Sequence, residues 1–353
     1  MNYEEKYMYR CLQLASFGGG YVAPNPMVGA VVVHNHQIIG EGFHHRYGEA
    51  HAEPNAILSV KDESLLREST LYVNLEPCSH VGKTQPCAHL IVDKKIPKVV
   101  IGTLDPNPKV SGRGIKILQD AGIKVVTNVL EDECFRLNKR FFALYNEHRP
   151  FILLKWAETR DGFIDIIRHD VNTPPLQISS QLAKQLTHKM RSENQAIMVS
   201  TNTAVLDNPS LITKHWPGKN PIRIILDRTG RIPGNYNIFN DLAETLIFTE
   251  NPRKNTESTE YLHLQFDEFM LNNLLQILVS KNIHSVLVEG GAQLLNNFID
   301  AGLWDEAWVE VSEQVIGRGV QAPSMGIVPD SSVIINNHLH LKYINRNKKF
   351  NTP

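Results

Sequence analysis

At 353 residues the chain has the length of two domains of roughly 100–200 residues each, and its 42% hydrophobic and 21% charged content is that of a soluble globular protein. A formal net charge of −1 argues against the basic footprint needed to grip long nucleic acid, and no run approaches the roughly 18 consecutive apolar residues of a membrane span. Four cysteines are too few for a disulfide framework at this size; together with a start, Met1-Asn2-Tyr3-Glu4-Glu5-Lys6, that lacks a basic and apolar leader, they predict a cytoplasmic protein in a reducing compartment.

Residues 4–17 carry Tyr7, Met8, Cys11, Leu12, Leu14 and Ala15 at helical spacing, with Gly18-Gly19-Gly20 as the stop. Runs 28–33 and 37–42 are short and β-rich, and His34-Asn35-His36 between them predicts a hairpin. A helix is expected from residue 50, a strand over 71–75 and a helix from 84. The order then continues as strand 99–102, helix 114–119, strand 124–127 and helix 131–146. The polar stretch Glu147-His148-Arg149-Pro150 ends this pattern, so the domains are expected to be 1–147 and 148–353.

The second half opens on an apolar strand at 151–154, followed by a helix near 180–191. Strands are expected at 196–199, 222–226, 245–249, 286–288 and 307–311, with helices near 269–280 and 292–300. Alternation of this kind predicts layered α/β sheets in both halves. The two halves share no visible similarity, and the polar stretch 251–260 reads as a loop.

Between residues 51 and 87 stand His51-Ala52-Glu53, then Pro77-Cys78, then Cys87. A His-x-Glu followed by Pro-Cys and a further Cys is the pattern of the zinc deaminases. His51, Cys78 and Cys87 are three donors of the types zinc prefers, and catalytic zinc sites keep three protein ligands and leave the fourth position to water. Zinc lowers the pKa of such a water towards 7. Glu53 is then placed to carry protons rather than to bind metal: one taken from the water, one given to departing ammonia. Both metal-bearing segments are expected to start helices, whose N-terminal dipoles favour thiolate over thiol. Eight residues, 79–86, separate the cysteines, and this polar and basic loop suits a phosphorylated small molecule. The competing meanings are buried structural thiols, or a closed zinc site with His44 or His80 as the fourth ligand.

In the second half, Glu289-Gly290-Gly291-Ala292-Gln293 joins a strand to a helix. Glycines at such a turn let backbone amides approach a phosphate, although a plain tight turn gives the same pattern and no G-x-G-x-x-G is present. The polar run 201–209 follows an apolar strand, where open α/β sheets place ligands. Lys155 interrupts an apolar run before Trp156, either reaching the surface or serving a site.

Pro24-Asn25-Pro26-Met27-Val28-Gly29, His51-Ala52-Glu53, Leu75-Glu76-Pro77-Cys78-Ser79-His80, Gly82-Lys83-Thr84 and Asp105-Pro106-Asn107-Pro108 together resemble the bifunctional deaminase/reductase family of bacterial riboflavin biosynthesis. The resemblance spans about residues 3 to 320, and the long spacer between the cysteines is a mark of that family. It implies a cytidine-deaminase-like three-layer N-terminal domain followed by a dihydrofolate-reductase-like α/β C-terminal domain. The first would hold one Zn2+ and remove the 2-amino group of a diaminopyrimidinone ribosylamino 5′-phosphate. The second would use NADPH to reduce the ribosyl chain to ribityl.

Carried over residue by residue, the resemblance implies Asn25 as a substrate contact in the first domain. In the second it implies Ala157, Gln177, Thr203, Asp207, Gly290, Gly291, Ala292, Gln293 and Leu294 for the cofactor, and Arg191, Leu211, Lys214 and Glu289 for the substrate. Thr159-Arg160-Asp161-Gly162 replaces the usual Ser-Leu-Asp-Gly, Gln177-Ile178-Ser179 replaces Trp-Ile-Thr, and Lys214 stands where arginine is common. Lysine cannot make arginine's bidentate phosphate contact. A small-molecule substrate, a homo-oligomer and the absence of nucleic-acid or membrane partners are expected. The rival function, a nucleic-acid base deaminase with an accessory domain, calls for a basic groove that the net charge does not supply.

Overall fold

A computed structural model describes residues 2–79, 85–108 and 110–346, and the chain divides between Glu147 and His148 into two compact units. The first unit runs α1 (Tyr3–Ser16), β1 (Gly29–His34), β2 (Gln37–Phe43), α2 (Ala52–Leu58), β3 (Thr70–Leu75), α3 (Cys87–Asp93), β4 (Lys98–Thr103), α4 (Arg113–Asp120), β5 (Lys124–Val126), α5 (Glu131–Leu137) and α6 (Lys139–Glu147). Its sheet has the order β2-β1-β3-β4-β5. The β1–β2 and β1–β3 pairs are antiparallel, whereas β3–β4 and β4–β5 are parallel.

Both faces of this sheet are covered, so its strands are apolar on every side rather than alternating. Val31, Val33, Tyr72 and Val100 pack against Tyr7, Met8, Cys11 and Leu14 of α1 and Cys134 of α5. Ala30, Val32, Leu71, Val73, Val99 and Ile101 pack on the opposite side with Ala56 and Ile57 of α2, Ala88 and Ile91 of α3 and Leu118 of α4. The result is three layers. α1 begins at a capping box in which the Asn2 side chain accepts from the Glu5 amide and Glu5 accepts from the Asn2 amide, both at 2.9 Å.

Two boundaries differ from expectation. The helix expected over 131–146 is broken at Asn138, because that side chain is used elsewhere: its Oδ1 accepts from the Met27 amide and its Nδ2 donates to the Met27 carbonyl, each at 2.8 Å. The helix expected from residue 84 begins at Cys87, with Pro86 as its cap.

The segment after β3 is held by Glu76, a buried carboxylate that accepts from the amides of Gly112 and Gly114 at 3.0 Å and of Ile115 at 3.3 Å. Those donors are amides at the start of α4, where a negative charge is stabilised. Only glycine fits at 114, since a Cβ there would lie 2.1 Å from the Pro77 carbonyl oxygen. Pro77 and Cys78 are thereby fixed against α4.

The second unit runs β6 (Phe151–Glu158), β7 (Phe163–Asp165), α7 (Gln181–Glu193), β8 (Ala196–Ser200), α8 (Thr201–Asp207), β9 (Ile222–Leu226), β10 (Thr245–Thr249), β11 (Thr259–His263), α9 (Met270–Ser280), β12 (Ser285–Gly290), α10 (Ala292–Asp300), β13 (Glu306–Val311), β14 (Val320–Gln321), β15 (Ser331–Ile335) and β16 (His338–Ile344). A nine-stranded sheet has the order β11-β10-β9-β8-β12-β6-β13-β16-β15. It is parallel from β11 to β13, and β16 and β15 add an antiparallel edge. Ile152, Leu154, Met198, Ile224, Phe248 and Val286 face α9 and α10. Ile197, Val199, Ile225 and Ile247 face the other way, towards Ala204 of α8.

Here too the structure adds elements. The polar run after β8 forms the helix α8, and the stretch 251–260, expected as a loop, ends in the edge strand β11. β15 and β16 form a hairpin about Asn336-Asn337, both at positive φ (48° and 63°). Asparagine tolerates that conformation better than most residues, so this pair was the available turn signal.

At the start of β6, Arg149 donates to both carboxylate oxygens of Asp305 at 2.7 and 2.8 Å, and Asp305 also accepts from the Ile152 amide at 2.7 Å. The two side chains are only 5% and 1% exposed. Removing one partner of such a pair strands a buried charge and costs about 3–5 kcal/mol. All four tryptophans of the chain, Trp156, Trp216, Trp304 and Trp308, lie in this unit. Asp305→Ala is therefore expected to lower the unfolding free energy from urea titrations followed by tryptophan fluorescence by an amount in that range, and a loss below about 1 kcal/mol would mean the pair is not holding the unit together.

Candidate functional site

His51 is the N-cap of α2, Glu53 lies in that helix's first turn, and Cys87 opens α3. Cys78 follows β3 and is brought to the same point by the Glu76 anchor. The donor atoms of His51, Cys78 and Cys87 all lie within 4.8 Å of one another. The Nδ1 atom of His51 is 3.6 Å from the Cys78 Sγ and 3.4 Å from the Cys87 Sγ. A tetrahedral zinc, with Zn–S about 2.3 Å and Zn–N about 2.0–2.1 Å, sets sulfur and nitrogen roughly 3.5 Å apart. The trio therefore has the spacing the metal requires, with Nδ1 as the ring donor.

The electrostatics agree. The backbone amide of Cys87, at the start of α3, donates to the Cys78 Sγ at 3.3 Å, a contact that favours thiolate. Hydrogen bonds from Cys87 and His51 hold the Cys78 thiol far below its ordinary value, and the Cys78 hydrogen bond pushes His51 up to about 9. Glu53 is 3% exposed, and burial pushes its carboxyl up to about 7, with Cys87 within hydrogen-bonding reach of it. A carboxyl poised there accepts and returns a proton at neutral pH.

His44 stands beside this trio, its ring centroid 5.5 Å from that of His51. Both its nitrogens are engaged: Nδ1 with the Ala50 carbonyl at 2.9 Å and Nε2 with the Asn25 amide nitrogen at 3.1 Å. Burial lowers its pKa, in keeping with a neutral ring that donates at Nδ1 and accepts at Nε2. It is not a fourth ligand, and among the described residues no fourth donor joins the three. His80 and the Gly82-Lys83-Thr84 motif lie outside the described residues. Asn25 is thus placed one hydrogen bond away from a ring that packs edge-on against His51.

In the second unit a cavity of about 900 Å³ opens at the carboxyl ends of β6, β8, β9 and β12, the place where open α/β sheets bind ligands. It is lined by Ala157, Gln177, Thr203, Asp207, Glu289 and each of residues 290–294. Its size is near the upper end for small-molecule pockets. The glycine turn is required by packing: Gly291 has φ +74°, and a Cβ on it would meet the Ser200 Oγ at 2.5 Å. The turn and the start of α8 can therefore close on one another only without side chains between them.

The remaining expected residues are placed less directly. Arg191 does not line the cavity but donates to both oxygens of Glu289, at 2.8 and 2.5 Å. Leu211 is buried in the core below α8, and Lys214 is exposed, its amide donating to the His188 ring at 3.1 Å. Neither of these two borders the cavity. Two further residues border the cavity: Arg168, which carried no sequence signal, and Lys155, which the sequence left open between surface and site. Arg168, held by Asp165 at 2.7 Å, forms an ion pair with Asp207, so Asp207 is already charge-compensated. Lys155 is half-buried on the cavity wall rather than extended to solvent.

Two family models match the chain: the RibD C-terminal domain over residues 150–343, and the cytidine and deoxycytidylate deaminase zinc-binding region over residues 1–103. The riboflavin biosynthesis protein RibD of Bacillus amyloliquefaciens is 41% identical over 332 residues, covering 91% of this chain and 87% of that protein. RibD of Aquifex aeolicus (strain VF5) is 36% identical over 329 residues, covering 92% and 91%. The crystal structure of a diaminohydroxyphosphoribosylaminopyrimidine deaminase/5-amino-6-(5-phosphoribosylamino)uracil reductase from Thermotoga maritima matches with a TM-score of 0.85 at 36% identity, over 96% of this chain and 98% of that one. The first unit accordingly has a cytidine-deaminase-like fold and the second a dihydrofolate-reductase-like fold. With a zinc-spaced trio in one unit and a cavity of about 900 Å³ in the other, the chain belongs to the RibD family of riboflavin biosynthesis proteins.

Proposed function

We propose that residues 1–147 are a zinc-dependent deaminase and residues 148–353 an NADPH-dependent reductase, acting in succession on one phosphorylated pyrimidine. The first reaction hydrolyses the 2-amino group of 2,5-diamino-6-ribosylamino-4(3H)-pyrimidinone 5′-phosphate. The second reduces the ribosyl chain of 5-amino-6-(5-phosphoribosylamino)uracil to ribityl. The observation that carries the reading is the trio His51, Cys78 and Cys87 at zinc-like spacing with the buried Glu53 carboxyl beside it.

A zinc ion bound by the trio supplies Lewis acidity, bringing the pKa of a water towards 7. Glu53 then takes a proton from that water and returns it to the departing amine, a role its position near neutrality suits. Asn25, fixed by the His44 ring, orients the substrate at the mouth of this site. In the second unit NADPH supplies hydride. Ala157, Gln177, Thr203, Asp207 and residues 290–294 hold the cofactor, while Glu289, backed by Arg191, serves the substrate. No described helix is long and apolar enough to cross a membrane; a cytoplasmic homo-oligomer acting on small molecules, with no nucleic-acid partner, completes the proposal.

Glu53→Ala is expected to lower ammonia release by about 10²–10⁴-fold, with one zinc per chain retained and NADPH oxidation on the deaminated substrate unchanged. A variant that keeps its deaminase rate, or loses its metal, contradicts the role given to Glu53. Stripping zinc with a chelator should abolish ammonia release and leave the reductase rate intact. Loss of both activities on chelation would mean that the two sites are not separate.

A further inference from the structure

Lys155, on the wall of the cavity, lies between two carboxylates of different standing. Strands β12, β6, β13 and β16 are neighbours in the sheet. Lys155 pairs with Trp308, and Ala157, two residues on and on the same face, pairs with Glu310. Glu310 in turn pairs with His340 across the antiparallel edge. Glu289 lies on the other side of Lys155, one residue past the Val288–Leu154 pair. One face of the sheet thus carries, in order, Glu289, Lys155, Glu310 and the histidines of β16, with Arg191 descending onto Glu289 from α7.

The two carboxylates are not equivalent. Glu289 is held by both guanidinium nitrogens of Arg191 and shares its charge with a permanent cation. Glu310 is 2% exposed and has no such partner. Its Oε1 accepts from the Ser180 amide at 3.0 Å and meets the His338 Nδ1 at 2.6 Å. Its Oε2 is buried with no hydrogen-bond partner, as is the Nε2 of His340. Lys155 forms no ion pair with any described residue at 4 Å or less, so its ammonium is not locked to either side. Burial lowers the Lys155 pKa, Glu289 and Glu310 raise it, and Arg191 lowers it further. Burial also works against the Glu310 charge, but Ser179, the Ser180 amide, Lys155 and His338 together hold that carboxyl below its ordinary range.

We propose that Glu310 is a positioning residue of the reductase: seated by His338 and Ser180 beside Ala157, its carboxylate supplies the negative charge that keeps the Lys155 side chain cationic and free to face the cavity. A cation on the wall of that cavity with no ion-pair partner within 4 Å among the described residues suits an oxygen or phosphate of the ligand bound there. The proposal rests on the assignment of the cavity to the reductase, and its test separates the two. The charged and titratable groups around Lys155 are Glu289, Glu310, Arg191 and His340; those around Glu310 are Lys155, His338 and His340.

The direct test needs no cofactor. The zinc-loaded full-length protein is acetylated with trace acetic anhydride across a pH series, and the Lys155 peptide is quantified by mass spectrometry. In Glu310→Gln the labelling midpoint of Lys155 should move to lower pH, and the alkaline limb of the reductase kcat should move with it while ammonia release is unchanged. Glu310→Asp, which keeps the charge, should restore both towards the wild-type position. Should Glu310→Gln lose its tryptophan unfolding transition, His338→Gln should give a smaller displacement in the same direction. A Lys155 midpoint that does not move in either variant overturns the proposal and leaves the cavity assignment standing. Lys155→Met that oxidises NADPH at the wild-type rate would likewise overturn the proposal, whereas wild-type protein that oxidises no NADPH on the deaminated substrate would overturn the cavity assignment.

Discussion

Everything in the first unit is arranged around the requirement that one imidazole nitrogen and two sulfurs meet at tetrahedral spacing with a carboxyl buried beside them. The requirement is demanding because the three donors come from separate segments. His51 caps α2, Cys87 opens α3, and Cys78 sits on an irregular stretch after β3. Two helix N-termini converge on the point, so partial positive charge is supplied from both. The irregular stretch is held by Glu76, which turns the start of α4 into its anchor. A divalent ion bound by the trio would take the place of the protons on its imidazole and thiol donors.

The second unit solves a different problem on the same kind of scaffold. A parallel sheet presents its carboxyl ends as a row, and the Gly290-Gly291 turn lets α8 and α10 approach closely enough to border a single cavity. Charges are placed behind that cavity in alternating sign, from Arg191 through Glu289 and Lys155 to Glu310. Buried charges are stable only when each is compensated by a neighbour or by hydrogen bonds. The row meets that condition along its length while leaving Lys155 uncommitted at the cavity wall.

The metal centre was legible in the sequence because few residue types bind zinc, and His51, Glu53, Cys78 and Cys87 stand in a pattern whose chemistry has little other use. The alternation of strands and helices was legible for a similar reason: the central strands of both sheets are buried on both faces and are plain apolar runs. What escaped depended on tertiary partners. Nothing local marks Asn138 as a helix breaker, since its alternative partner Met27 is distant in sequence. The strand β15 carries exposed apolar residues such as Val333 and Ile334, so its sequence does not mark a buried face. Arg168 and Lys155 reach the cavity only through the fold, and Glu310 becomes interesting only once β13 is seen beside β6. The sequence also left open whether His44 was a ligand, and only its two hydrogen bonds exclude it.

The central claim, a metal held by three protein donors with the fourth corner left to solvent, is tested most directly by zinc X-ray absorption on the purified full-length protein. The account predicts two sulfurs at about 2.3 Å, one imidazole nitrogen at about 2.0–2.1 Å and one further light atom without an imidazole scattering pattern. A second imidazole in the coordination shell, or a third sulfur, would show a closed structural site and contradict it.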